Sequence, residues 1–206
     1  MSHVTHIEVI DDTFFLWDGI RHASESAAEW SIGIQTRSWM DFSGTRASDA
    51  DLVIVSAELV DHVPVVLKAR AILRLGTQVG VLINTQPSAV TRRLEQEGTS
   101  FVAGRKNTSW QRLIEYIDTA SSGAAGQYRG IPGALSDREL QVAALFASRA
   151  APTCRQIGDL LGLHGDTVRT HLKLARRRLS QAGRVASSRE DLRAALLLEG
   201  YLVEEF

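Results

Sequence analysis

The stretch IGDLLGLHGDTVRTHLKLARRRL, residues 157–179, decides the architecture of the second half of this 206-residue chain. Val168, Leu172, Ala175 and Leu179 recur at intervals of four, three and four, which places them along one face of a helix. Arg169, Thr170, Lys173, Arg176 and Arg177 fall largely outside that face, so the helix is apolar on one side and cationic on the other. Just upstream, Thr153 offers an N-cap and Gly162 a terminator around Ile157, Leu160 and Leu161, which predicts a short helix. A short helix, a tight turn through LGLHGD and a basic amphipathic helix make a helix-turn-helix. The second helix of such a unit fits the major groove of duplex DNA, where Arg and Lys neutralise phosphates and reach guanine edges.

Working outward, LSDREL (135–140) sets Ser136 as an N-cap with Glu139 three residues later, a capping box. It opens a helix over about 136–148 whose predicted buried face is Leu140, Val142, Ala143, Leu145 and Phe146. Beyond the basic helix, SSREDLRAALLLEG (187–200) offers Ser187 or Ser188 as a cap and Gly200 as a stop. Before all four helices, SSGAAGQYRGIPG (121–133) is rich in small and turn-forming residues and carries no helical or strand period, so it reads as a linker.

Residues 135–202 resemble the LuxR/NarL-type DNA-binding domain of transcription regulators. LSDREL is similar to that family's opening LTxRE motif, and residues 157–179 follow its IAxxLxISxxTVxxHxxxIxxKL pattern without a gap, including Thr167, Val168 and His171. The resemblance implies DNA contacts from Arg169, Thr170 and Lys173, joined by Thr167, Arg176 and Arg177, with Val168 and His171 mainly packing. It also makes Leu192, Leu196 and Leu197 candidates for a dimer surface or for packing against the other helices. The connection SRAAPTC (148–154) departs from the pattern by being about two residues longer.

Upstream of the linker, short apolar runs alternate with amphipathic ones, the pattern of βα units around a parallel sheet. Strands are predicted at 6–10, 31–36, 52–56, 78–84 and 100–104. Helices are predicted at about 13–28, 61–74, 88–97 and 108–120, with a short or irregular piece at 43–49. This is an α/β, doubly wound, five-stranded parallel sheet, and ligands of such sheets sit at the carboxyl ends of the strands. There the chain places Asp11 and Asp12 after the first strand, Ser56 at the end of the third, Asn84 and Thr85 after the fourth, and Arg105 and Lys106 after the fifth.

Residues 5–120 thereby resemble the receiver domain of bacterial response regulators, a flavodoxin-like fold. The resemblance assigns Asp11 and Asp12 to the Mg²⁺-binding pair, Thr85 or Asn84 to the hydroxyl position and Lys106 or Arg105 to the lysine position. The acceptor aspartate is missing, because its position falls on Ser56. Receiver chemistry needs an ionised carboxylate to attack the phosphoryl group while a hard cation neutralises the charge. Serine is neutral, has no evident general base beside it, and removes one anionic ligand, so the pocket of Asp11, Asp12, Ser56, Thr85 and Lys106 is expected to be degenerate. Glu58 and Asp61 follow the third strand as surrogate acceptors and are not assigned that role.

Charge supports the division of labour. The formal net charge is −1, yet residues 1–120 balance at −4 while residues 165–184 balance at +5. A local positive surplus fits a nucleic-acid footprint carried by one element. Cys154 is the only cysteine, which excludes an intrachain disulfide and a thiolate metal cluster and leaves packing as its role. The six histidines show no ligand spacing, so neither metal nor other cofactor is called for. No apolar run approaches the roughly 18 residues of a membrane span, so a cytoplasmic protein without membrane association is expected. Tryptophans 17, 30, 39 and 110 all lie in the first half, which speaks against a stacking platform for single strands in the second.

These readings combine into a receiver-like domain (1–120), a linker (121–133) and an all-α, four-helix DNA-binding domain (134–206). The expected function is phosphorylation-independent transcription regulation on double-stranded DNA, not enzymatic, by a homodimer or a heterodimer with another regulator, with RNA polymerase as a further partner. Two rival readings are a sigma-factor-like polymerase subunit and a phosphoryl-transfer or phosphatase enzyme on the α/β half. The α/β pattern speaks against the first, and adjacent aspartates without a nucleophile against the second.

Overall fold

The computed structural model describes residues 4–13, 19–22, 30–44, 50–61, 63–84, 88–123, 127–128 and 130–204. Five strands, β1 (Thr5–Ile10), β2 (Trp30–Thr36), β3 (Leu52–Ser56), β4 (Gln78–Ile83) and β5 (Phe101–Gly104), pair in the order β2-β1-β3-β4-β5. All four pairings are parallel. The central strands read as continuous apolar runs because helices cover both faces of the sheet. Ile7, Val9, Leu52, Ile54 and Leu82 point to one face, onto Leu113 and Ile117. Val53, Val55, Val79, Val81 and Ile83 point to the other, onto Val66, Ala69, Ile72, Val90 and Leu94. Gly80 is required by this packing: a Cβ there would lie 2.1 Å from the Phe101 ring, which stacks on Tyr116 at 5.5 Å between centroids.

The first-half helices are α1 (Trp39–Gly44), α2 (Val65–Leu73), α3 (Ser88–Glu97) and α4 (Trp110–Ser121). The helix expected over 61–74 begins only at Val65. Asp61 is held before it, its carboxylate accepting from Trp39 N and Val63 N, and Pro64 occupies the N-cap. The short piece expected at 43–49 lies earlier, opened by Ser38, whose hydroxyl accepts from Asp41 N at 3.1 Å; residues 45–49 lie outside the described residues. Of the helix expected at 13–28, residue 13 is described and is not helical, residues 19–22 are helical, and the rest lie outside the described residues.

The second half contains α5 (Asp137–Ala147), α6 (Cys154–Leu161), α7 (Gly165–Gln181) and α8 (Arg189–Leu198). Their ends follow the local chemistry. Ser136 with Glu139, Thr153 with Gln156, and Ser188 with Asp191 form reciprocal capping boxes. Gly162 closes α6 in the left-handed conformation at φ 65°. Val168, Leu172, Ala175 and Leu179 are buried along α7, which packs on α5 and α6. On α6, Ile157 is buried whereas Leu160 is 69% exposed. Of the three leucines left open between a dimer surface and packing, Leu192 and Leu196 are fully buried in the core of their own chain, the packing alternative, and Leu197 is half-buried.

The two halves are not held apart by the segment read as a linker. Buried residues from the sheet, α2 and α3 continue into those of α5, α7 and α8 as one cluster. Arg70 of α2, 1% exposed, donates in bidentate fashion to Glu97 at 2.6 and 2.9 Å, and its third nitrogen reaches Leu135 O at 2.8 Å and Asp137 at 3.0 Å. Arg93 donates to the Glu199 carbonyl and carboxylate and lies over the Tyr201 ring, while the Tyr201 hydroxyl accepts from Leu135 N at 2.9 Å. Tyr128, within the expected linker, lies against Arg74 at 4.5 Å. At Gly200, φ is +72° and a Cβ would lie 2.1 Å from Ala89 O, so only glycine permits α8 to end this close to α3.

Candidate functional site

Two places bring chemistry-bearing residues together: the outer face of α7 and the carboxyl end of the sheet. On α7, Thr167, Arg169, Thr170, Lys173 and Arg177 are exposed, and Arg176 is half-buried with its guanidinium 5.6 Å from the Phe146 ring. His164 caps the helix, its Nδ1 accepting from Asp166 N, and Asp166 accepts from Arg169 one turn on. The Thr170 hydroxyl turns back to Asp166 O at 2.9 Å. Arg169, Lys173 and Arg176 also line a cleft of about 260 Å³ with Phe146, Cys154 and Leu172. The side chains on this face are long cations over a rigid, capped helix. Such an arrangement presents donors to an extended polyanion without ordering a loop.

Other cations of the same helix and its neighbours have structural duties. Arg178 pairs with the buried Glu139 at 3.1 Å and donates to Ala134 O. Arg184 pairs with Glu199 at 2.8 Å. Arg189 donates to Phe146 O and Pro152 O across the ends of α5 and its following loop, and lies 4.0 Å from the Phe146 ring. A charge count over 165–184 therefore overstates the free cationic surface. His171 is half-buried, as expected of a packing residue.

At the sheet, Asp11 is fully buried at the end of β1 and Ser56 is 1% exposed at the end of β3. Arg105 follows β5, and its N–H continues the strand register by donating to Ile83 O at 2.8 Å. Its Nη2 donates both to Asp11 Oδ1 at 2.5 Å and to Ser56 Oγ at 2.7 Å, and its Nη1 donates to Thr13 Oγ1 at 3.0 Å. Thr13 Oγ1 in turn donates to Asp11 Oδ2 at 2.7 Å. Lys106, expected in this pocket, is exposed instead, in the turn that follows β5. Asp12 is exposed as well, and Thr85 lies outside the described residues.

Asn84 is represented by its backbone: its N–H donates to Glu58 Oε1 at 2.7 Å. Burial raises the Glu58 carboxyl above its ordinary range against the opposing pull of the Asn84 N–H and Arg105. Sequence reasoning named Glu58 only as a surrogate acceptor after the third strand and did not assign it to the pocket. Nearby, burial lowers the Lys68 ammonium against its ion pair with Asp61 at 2.8 Å. Among the described residues, no three His, Cys, Asp or Glu side chains are grouped so as to hold a metal ion. No described helix is long and apolar enough to cross a membrane.

The chain matches no protein-family model and no curated protein. Solved structures do match along nearly its whole length. RcsB of Salmonella typhimurium, described for its conformational dynamism in DNA interaction, is similar at a TM-score of 0.59 and 15% identity over 95% of this chain and 98% of that one. The fold is that of the response regulators. RcsB from Salmonella enterica serovar Typhimurium bound to promoter rprA with the phosphomimetic BeF3⁻ aligns at a TM-score of 0.53 and 15% identity, over 94% of this chain and 99% of that one. A structure of two RcsB dimers on two parallel DNAs aligns at 0.59 and 15% identity, over 96% and 98%. These response regulators share the parallel sheet with flanking helices and the C-terminal helical part.

Proposed function

We propose that this protein is a transcription regulator that binds specific sequences of duplex DNA through α7, with Arg169, Thr170 and Lys173 at base edges or adjacent phosphates and Thr167, Arg176 and Arg177 supporting them. The observation that carries this reading is the exposed row Arg169, Thr170, Lys173 and Arg177 on a helix whose other face is fully buried. Its sequence follows the LuxR/NarL-type pattern, and structural neighbours of the same fold were solved on DNA.

One short recognition helix reads only a few base pairs, so two copies on a two-half-site operator give the affinity a regulator needs. A homodimer is the form proposed. The regulator works in the cytoplasm and independently of phosphorylation, since Ser56 stands in the acceptor position and the neighbouring Asp11 is paired with Arg105. No catalytic role is assigned to either half.

The test is retention of genomic fragments by the purified protein at physiological salt without a phosphodonor, beside an Arg169→Ala, Lys173→Ala variant. Discrete two-half-site sequences held by the wild type alone are expected. Equal retention by both proteins would refute the assignment of α7.

A further inference from the structure

The receiver resemblance implies a divalent cation among Asp11, Asp12 and the residue at position 56, and the residues present do not fit one. A hard cation of this kind takes an oxygen cage with surplus negative charge. Both oxygens of Asp11 are engaged, Oδ1 by Arg105 and Oδ2 by Thr13; Asp12 is turned to solvent; and Ser56 brings no charge. The centre of the pocket is a guanidinium. A single Arg105 nitrogen bridges the ends of β1 and β3, while Arg105 itself follows β5, so three strand ends meet on one fixed positive charge.

We infer that Arg105 is the resident cation of this pocket, a barrier to a divalent metal ion that is separate from the loss of the acceptor aspartate. This rests on the phosphorylation-independent reading above but goes further, because it states that restoring the aspartate does not restore the site. In Ser56→Asp the new carboxylate lies beside an Arg105 nitrogen already 2.7 Å from the Ser56 hydroxyl and forms a second ion pair with it. The guanidinium is then held more firmly than before, between two carboxylates, and the cation is still excluded. Only when the guanidinium is also removed do Asp11 and the introduced carboxylate face one another with uncompensated charge.

The experiment counts Mn²⁺ bound to the full-length protein from the loss of the free-ion EPR signal, with circular dichroism as the check on folding. Wild type and Ser56→Asp are expected to leave the signal unchanged. Ser56→Asp with Arg105→Gln, which keeps amide donors without the charge, is expected to take up one ion per chain, and Asp11→Asn in that background to abolish the uptake. Arg105→Ala replaces Arg105→Gln if the latter does not fold.

Uptake by Ser56→Asp alone at the level of the double variant overturns the inference, as does a folded double variant that takes up none. Mn²⁺ bound by the wild type and lost in Asp11→Asn overturns it without any engineered site. Failure of the underlying reading looks different. A phosphoryl mass gain of the wild type in acetyl phosphate, without Mn²⁺ uptake, removes phosphorylation independence and leaves the resident guanidinium in place.

Discussion

Replacing Arg70 with Met should uncouple the two halves of the molecule. Burial opposes the Arg70 charge, but Glu97 and Asp137 outweigh it and hold the guanidinium above its ordinary range. Glu97 is 0% exposed and takes both its arginine hydrogen bonds from this one residue. In Arg70→Met it becomes a buried carboxylate without its partner, and Leu135 O loses its donor. Removing one member of a buried pair costs about 3–5 kcal/mol, which for a chain of this size lowers the unfolding midpoint by about 6–20 °C. The wild type is expected to melt in one transition and the variant in two, since Arg70 ties α2 and α3 to the start of α5.

The sign with pH follows from the orphaned carboxylate. Its folded pKa in the variant is raised, so the folded variant binds the extra proton, and the deficit shrinks as pH falls into the carboxylate range. Differential scanning calorimetry at neutral and mildly acidic pH reads both effects. Arg70→Met with Glu97→Leu should recover much of the loss. A variant that melts in one transition at the wild-type temperature would show that Arg70 is not the clasp.

Four further outcomes are expected. Glu58→Gln should flatten the decline in stability as pH rises from the ordinary carboxylate value through the raised value of Glu58, because the folded state holds that proton longer than the unfolded chain; thermal melts across mildly acidic pH measure it. Lys173→Ala should weaken DNA binding at all sequences and reduce the salt slope by about one if Lys173 meets a phosphate, whereas Arg169→Ala at a base edge should relax specificity by about 1–3 kcal/mol at one position, both read in salt-titrated binding isotherms. Gly200→Ala should destabilise through the 2.1 Å approach to Ala89 O and loosen the end of α8, seen as faster amide exchange in α3 and α8. Leu196→Ala should cost about 2–5 kcal/mol as a core cavity without changing the monomer–dimer ratio in sedimentation, and a shift in that ratio would return Leu196 to an interface.

The parallel sheet was legible because both faces are covered, which forces the unbroken apolar runs LVIVS and QVGVLI, and the C-terminal helices because Ser136, Thr153, Ser188 and Gly162 announce their ends. The division of α7 into a buried apolar face and an exposed cationic one could be read from period alone. Arg105 against Lys106 could not, since both are long cations one residue apart and only the contacts of Arg105 with Asp11 and Ser56 show which turns inward. Leu192 and Leu196 were ambiguous for a similar reason: an apolar helix stripe does not say whether its cover comes from the same chain. The docking of the halves was hidden most deeply. Arg70, Arg93 and Glu97 look like ordinary charged positions on surface helices, and their burial arises only when residues of the distant C-terminal half close over them.

The contacts of Arg70, Arg74 and Arg93 with Leu135, Asp137 and Glu199 limit how freely the two halves can be recombined. A hybrid spliced in the glycine-rich segment would join a front half carrying three arginines to a back half chosen only for its DNA preference. Unless that back half also supplies an acid at the head of its first helix, an acid at the close of its last and a glycine directly after it, the two pieces meet as strangers. On the proposed reading of α7, the choice of DNA and the identity of the front half therefore travel together, and retargeting is better done by rewriting α7 in place than by exchanging the cassette that contains it.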